Sequence, residues 1–259
     1  MATFLFDRIV FGPVNSRRLG ISLGINLLPS DRKWCSFNCI YCECGWTDRQ
    51  PFFSGGFPSG GLVKEELKKR LILMQRQGKF PDTITFAGNG EPTIHPEFGR
   101  IISDTVELRN LFAPEAKIAV LSNGTMLDDH SVFLALKKVD QNILKVDSAR
   151  EETMRLLNQP GDGFRMDRLL DNIRRFSGKF VLQTMFIKGM IGNRSFDNTS
   201  AGELHDWLKL VEDLNPEMVM VYTIARDTPL QGLQRIAASK LRDIASMVSR
   251  LGIPVQVSA

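Results

Sequence analysis

Four cysteines fall between positions 35 and 44, and the chain has no others. Cys35, Cys39 and Cys42 are spaced C-x3-C-x2-C, and Cys44 follows one residue beyond the third. Thiols packed this closely do not read as a disulfide framework, which spreads its cysteines to close long loops. They suit a metal centre, and the spacing leaves two kinds open. Three thiolates can hold three irons of a cubic [4Fe–4S] cluster; most such clusters take four cysteines, so the fourth iron keeps an open position for a chelating substrate. Alternatively, all four thiolates, Cys44 included, hold a structural zinc. That site usually draws on two well-separated ligand pairs, and the single residue between Cys42 and Cys44 is poor geometry for it.

Further polar groups punctuate the chain. Gly88-Asn89-Gly90-Glu91 lies within Phe86–Pro92. Gly88 and Gly90 let backbone approach a ligand closely, and the Glu91 carboxylate can accept a hydrogen bond from an ammonium group. A plain strand-to-helix turn is the other reading of this stretch. Ser122-Asn123-Gly124-Thr125 is a turn signal as much as a polar contact. Lys145 and Asp147 stand two residues apart on a β-rich run, so their side chains share one face. Opposite charges on a buried face are costly unless paired or bound to a ligand. Gln183 either lines the same interior or faces outward. His95, His130 and His205 lack metal-ligand spacing, and no catalytic duty is expected of them. Arg17 and Arg18 meet either phosphate or a surface carboxylate.

Strands are expected at Ile21–Leu27, Thr83–Ala87, Ile118–Ser122, Ile143–Val146, Phe180–Ile187 and Met218–Ile224. Helical periodicity fills the gaps: Val63, Leu67, Leu71 and Met74 share a face, as do Leu204, Trp207, Leu208, Val211 and Leu214. Ser200 with Glu203 reads as a capping box before the second of these helices. Leu241, Ile244, Ala245, Val248 and Leu251 mark a last helix. Six strand-then-helix units imply a parallel sheet with helices outside. Six are too few for a full eight-stranded barrel, so the expected fold is α/β, an open partial (β/α)6 barrel. Such folds place their chemistry at the C-terminal ends of the strands, where the polar motifs fall. One domain over residues 1–259 is expected, with a cluster loop at about 28–50 and a glycine-rich mobile loop at 50–61.

The 259 residues, 43% of them hydrophobic, suffice for one such domain. Net charge is +4, which permits an anionic partner such as RNA but argues for one only where the charge clusters. No apolar run approaches the roughly 18 residues that span a bilayer, and the first residues lack a signal-peptide core. A cytoplasmic location is expected, without a membrane or DNA partner.

The cysteine motif, with Tyr41 in its aromatic position, resembles the C-x3-C-x-aromatic-C signature of the radical S-adenosylmethionine (SAM) superfamily. Val10–Gly20, Ser22–Asn26, Leu157-Asn-Gln-Pro160 and Met220–Pro229 resemble a group of short Fe–S oxidoreductases related to the radical SAM domain of wybutosine-synthesising tRNA enzymes. The resemblance implies that Cys35, Cys39 and Cys42 hold a [4Fe–4S] cluster whose open iron is chelated by SAM. Gly88, Asn89, Gly90 and Glu91 match the family's "GGE" motif for the methionyl amine, with Asn89 standing where many members carry Gly. Ser122 and Asn123 fall to the SAM carboxylate, Asp147 to the ribose, and backbone around Ile224, within Tyr222–Ala225, to the adenine. The implied chemistry is reductive cleavage of SAM to a 5′-deoxyadenosyl radical, which abstracts hydrogen from an unidentified substrate. RNA is one candidate substrate. Alternatives are a peptide, a small metabolite, or a non-catalytic metal-binding module. Electrons are expected from an external flavodoxin or ferredoxin-like donor, since no further cysteine and no flavodoxin-like segment is present. Cys44 lies outside the signature and reads as a bystander thiol.

Overall fold

The computed structural model describes residues 4–47 and 56–259. Two compact units divide the chain: residues 5–36 with 47–142 form the first, and residues 1–4, 37–46 and 143–259 the second.

The first unit opens with β1 (Val10–Ser16), which returns antiparallel on β2 (Gly20–Ile25). There follow α1 (Gly60–Arg76), β3 (Thr83–Phe86), a 3-10 turn at Pro92–Ile94, α2 (Phe98–Phe112), β4 (Lys117–Ser122) and α3 (His130–Leu136). β2, β3 and β4 are parallel, with Ser22 opposite Thr83 and Thr83 opposite Lys117. All four residues of β3 are buried, as befits a parallel strand covered on both faces. α1 buries Val63, Leu67, Leu71 and Met74, the apolar stripe of a helix facing a core. The Ser59 hydroxyl caps it by accepting from Leu62 N.

β5 (Gln141–Lys145) leads into the second unit. It is followed by α4 (Glu151–Asn158), α5 (Met166–Arg174), β6 (Val181–Met185), β7 (Ile187–Ile191) and β8 (Arg194–Asp197). Then come α6 (Ala201–Leu214), β9 (Met218–Tyr222), β10 (Gln234–Arg235), α7 (Ala238–Ser249) and β11 (Val255–Ser258). β5, β6, β9 and β11 are parallel and neighbours in that order, while β10, β7 and β8 make a small antiparallel sheet.

The expected strands are all present, with differences at their ends. The first stops at Ile25 because the Asn26 side chain bonds both Leu28 N and Leu28 O and turns the chain. The run expected over Phe180–Ile187 breaks after Met185. There the Asn198 side chain takes over ladder positions, accepting from Ile187 N and donating to Met185 O and Asp147 O. The capping box does not form. Ser200 precedes α6 without a side-chain cap bond, and Glu203 instead accepts from Ser148 Oγ (2.7 Å) and Thr153 Oγ1 (2.6 Å). β1, with Gly12-Pro13 at a register shift, and β11 were not expected; Pro is tolerated at bulges and sheet edges. Of the glycine-rich stretch 50–61, residues 50–55 lie outside the described residues, and 56–59 lead into α1. Residues 48–50 of the cluster loop lie outside them too. Among the described residues no helix is long and apolar enough to cross a membrane.

Candidate functional site

In the first unit the polar groups gather after β3 and β4. Trp34, just ahead of Cys35, is pinned to the glycine motif: its N–H donates to Asn89 O (2.7 Å) and its carbonyl accepts from Glu91 N (3.1 Å). This pairing explains the glycines. Gly90 has φ +142°, and a Cβ there would lie 1.8 Å from Trp34 O; a Cβ on Gly88 would lie 2.3 Å from Asn26 Oδ1. The close approach they allow in this structure is to Trp34 and Asn26. Asn89 is wholly buried. Its side chain accepts from Phe6 N and donates to Phe6 O and Pro29 O.

Glu91 is also buried, and it braces the end of β4. Its carboxylate accepts from Ser122 Oγ (2.8 Å), Asn123 N (2.7 Å) and the Thr93 N–H (3.1 Å) and hydroxyl (2.5 Å). Burial raises its pKa above the ordinary value, and these hydrogen bonds only partly offset the rise. Asn123, fixed in this way, sends Nδ2 to Ser36 Oγ (2.9 Å) and toward Cys35 Sγ (3.6 Å), while its Oδ1 accepts from Thr125 N and Oγ1. Ser36 and Thr125 bond one another at 2.6 Å. His95 is structural: one ring nitrogen pairs with Pro58 O (2.8 Å) and the other accepts from Glu97 N (3.0 Å).

The second unit carries its own constellation. Tyr41 donates to Asp147 Oδ2, and Met185 N donates to Asp147 Oδ1 at 2.8 Å. Lys145 and Asp147 do share a face, and they pair at 3.1 Å. Lys145 Nζ also donates to Tyr222 Oη (2.7 Å) and lies 4.8 Å from the centre of the Tyr41 ring. Burial opposes the lysine's charge, yet Asp147 first, then Tyr222 and Cys39, more than compensate, and its pKa stands above the ordinary value. Burial and then the Asp147 charge push the Tyr41 phenol well up, so it stays protonated. Asn158, at the end of α4, places Nδ2 3.3 Å from Cys39 Sγ, 2.7 Å from Tyr41 Oη and 2.6 Å from Asp147 Oδ2. Ile224 is buried just beyond β9. Cys42 N bonds Cys39 O (3.1 Å) and Gly45 N bonds Cys42 O (2.9 Å), so the cysteine loop is a run of tight turns.

The roles of Asn158, Ser36, Thr125 and the Tyr222 hydroxyl escape the sequence reading. Asn158 lies in a stretch that resembles the family, but nothing local marks its side chain. All four thiols are free of disulfides. Among the described residues no three His, Cys, Asp or Glu side chains are grouped as metal ligands are. The fit to an iron–sulfur cluster therefore rests on the donor set: three reduced thiols on one loop, two of which meet a side-chain amide N–H. Such outer hydrogen bonds accompany metal-bound sulfur.

The chain is 31% identical over 223 residues to a GTPase Obg of Brachyspira hyodysenteriae, covering 85% of this chain and 30% of that protein. It is 30% identical over 231 residues to the UPF0026 protein slr1464 of Synechocystis, covering 86% and 77%. A radical SAM methyltransferase from Sphaerobacter thermophilus matches its structure with TM-score 0.67 at 16% identity, over 92% of this chain and 65% of that one. Archaeal TYW1 matches with TM-score 0.53 at 12% identity, over 88% and 71%. The chain thus spans under a third of the first relative and about two thirds of the first structure. The structural likeness shows the fold class, the α/β partial barrel expected from the strand–helix alternation. The sequence profile of the radical SAM superfamily covers residues 32–193, more than half of the chain and all three signature cysteines, and the protein belongs to that superfamily.

Proposed function

We propose that this protein is a radical SAM enzyme, in which Cys35, Cys39 and Cys42 hold a [4Fe–4S] cluster. The observation that carries this reading is the pair of amide contacts on the motif's sulfurs, Asn123 toward Cys35 and Asn158 toward Cys39. When bound, the cluster and SAM together supply a 5′-deoxyadenosyl radical, with methionine as the other product, by one-electron cleavage of the sulfonium. The chain's own residues orient and enclose. By the family resemblance, Glu91, with the backbone of Gly88 and Gly90 beside it, would meet the methionyl amine, and Ser122 and Asn123, braced by Glu91, would meet its carboxylate. By the same resemblance, the ribose would lie beside Asp147 and Tyr41, and the adenine against backbone at Ile224. An external flavodoxin or ferredoxin-like protein delivers the electron.

RNA is the substrate class that the charge distribution favours. Residues 60–79 hold six Lys and Arg against two Glu. Arg8, Lys69 and Arg70, with Glu66 and the apolar Leu62 and Leu73, line an open groove of about 670 Å³ in the first unit, where Lys69 pairs with Glu65 (2.7 Å) and Glu66 (3.2 Å). Clustered cations with apolar surface between them are the footprint of a nucleic-acid site.

Anaerobic reconstitution followed by SAM and dithionite tests the reading. About four irons per chain and release of 5′-deoxyadenosine are expected. Cys35→Ala, Cys39→Ala or Cys42→Ala should each abolish the intact cluster, and Cys44→Ala should keep it. A reconstituted, SAM-bound protein that forms no 5′-deoxyadenosine under any reductant leaves only a binding module. Binding to total tRNA that weakens steeply with salt supports the RNA assignment; salt-independent or absent binding removes it.

A further inference from the structure

Leu157-Asn158-Gln159-Pro160 closes α4 and seats the middle of the cysteine loop, Phe37 to Tyr41. The last carbonyls of a helix have no partner within it, and here the loop supplies them. Ile40 N donates to Leu157 O (3.0 Å), and Asn38 N donates to Asn158 O (2.9 Å) and Gln159 O (3.2 Å). Asn38 Nδ2 reaches Gln159 Oε1 (3.4 Å), and Phe37 bridges to Pro160. Gln159 ends the helix in the left-handed conformation (φ +41°), a common helix stop.

The Asn158 side chain is wholly buried. Its nitrogen faces three acceptors: Cys39 Sγ, Tyr41 Oη and Asp147 Oδ2. The surroundings decide which end of the amide is nitrogen, because a carbonyl oxygen turned toward a carboxylate and a sulfur would be repelled. Its Oδ1 is left buried without a partner among the described residues. A buried polar atom without a hydrogen bond is costly, so the fold holds this amide for what its nitrogen does.

We propose that Asn158 is a positioning residue that ties Cys39 to the Tyr41–Asp147 pair, and that its N–H raises the reduction potential of the cluster bound through Cys39. This rests on the reading of Cys39 as a cluster ligand. A hydrogen bond to a ligand sulfur draws negative charge away from the metal centre and favours the reduced, more negative state. The same amide carries two hydrogens for three acceptors, so sulfur, phenol and carboxylate are held to one geometry.

The test is an EPR-monitored redox titration of the reconstituted protein beside Asn158→Leu and Asn158→Asp, with iron content and circular dichroism recorded for each. Both variants lose the amide donor. At a fixed solution potential near the midpoint, the reduced-to-oxidised ratio should fall by about threefold to tenfold, tenfold being about 59 mV for one electron. Asn158→Asp, which adds negative charge, should fall further than Asn158→Leu. Full clusters with the wild-type midpoint in both variants overturn the proposal and show a purely structural amide. Where neither variant keeps a cluster, wild-type protein labelled with 15N-asparagine decides: pulsed EPR of its reduced cluster should show coupling to asparagine nitrogen, and its absence overturns the proposal. A wild-type chain that takes up no cluster at all sinks the enzyme reading instead.

Discussion

The Tyr41 hydroxyl donates to the Asp147 carboxylate, and both side chains are buried, though 106 residues separate them. The bond sets a residue inside the cysteine motif against the end of β5. A hydrogen bond to a charged acceptor is worth about 1.5–3 kcal/mol. Tyr41→Phe should therefore lower unfolding stability by about that much in chemical denaturation of the apo protein. It should also weaken SAM binding if Asp147 holds the ribose. An unchanged denaturation midpoint would show that Met185 N, Lys145 and Asn158 satisfy Asp147 without the phenol.

Lys145 makes stability depend on alkaline pH. Its pKa in the folded protein lies above the ordinary lysine value of 10.5, because Asp147 and its neighbours outweigh burial. The folded state thus holds the proton more tightly than the unfolded chain. That stabilisation is whole below about pH 10.5 and is lost as pH rises toward the folded value. Lys145→Met removes the dependence and leaves Asp147 as a buried charge short of its partner, a change worth about 3–5 kcal/mol. Urea denaturation should find the variant less stable at pH 7, with a flatter profile above pH 10 than wild type. Parallel profiles would refute the pairing.

Gly90 should tolerate no side chain. The added Cβ would lie 1.8 Å from Trp34 O, at φ +142°, and strain in such backbone regions costs about 1–3 kcal/mol before any clash. Gly90→Ala should lower the melting temperature and cut iron content after reconstitution, since Trp34 adjoins Cys35. Gly88→Ala meets the Asn26 side chain rather than backbone, and its effect should be smaller. Equal effects would mean that Trp34 moves freely.

Gln183 carries a buried amide nitrogen with no partner among the described residues. It sits on β6 opposite Lys145 in the register, so the two side chains share a face. Gln183→Leu should raise the stability of the apo protein by about 1 kcal/mol, the lower end of the cost of an unsatisfied buried donor. A destabilised variant would show that water or a bound group already satisfies the amide.

Much was legible in the sequence because it is local. The C-x3-C-x2-C spacing, the alternation that puts Lys145 and Asp147 on one face, and the apolar stripe of α1 depend on residues a few positions apart. So do the strands β2 to β6 and β9, which read as short β-rich runs. Local patterns also misled. Ser200 and Glu203 have capping-box spacing, but Ser148 and Thr153 claim the carboxylate. Gly88 and Gly90 read as room for a ligand's approach, and the structure adds that a side chain at either would meet Asn26 or Trp34.

What only the tertiary structure decided is where long-range polar groups meet. Asn158 reaches Cys39 across 119 residues and Asn123 reaches toward Cys35 across 88, and Glu91 spends its carboxylate on Ser122, Asn123 and Thr93. An asparagine has the same local preferences whether its amide faces solvent or a thiol. The physical reason lies in burial: packing removes water from these groups, and each must then find its hydrogen bonds among whichever side chains the strands and helices bring beside it.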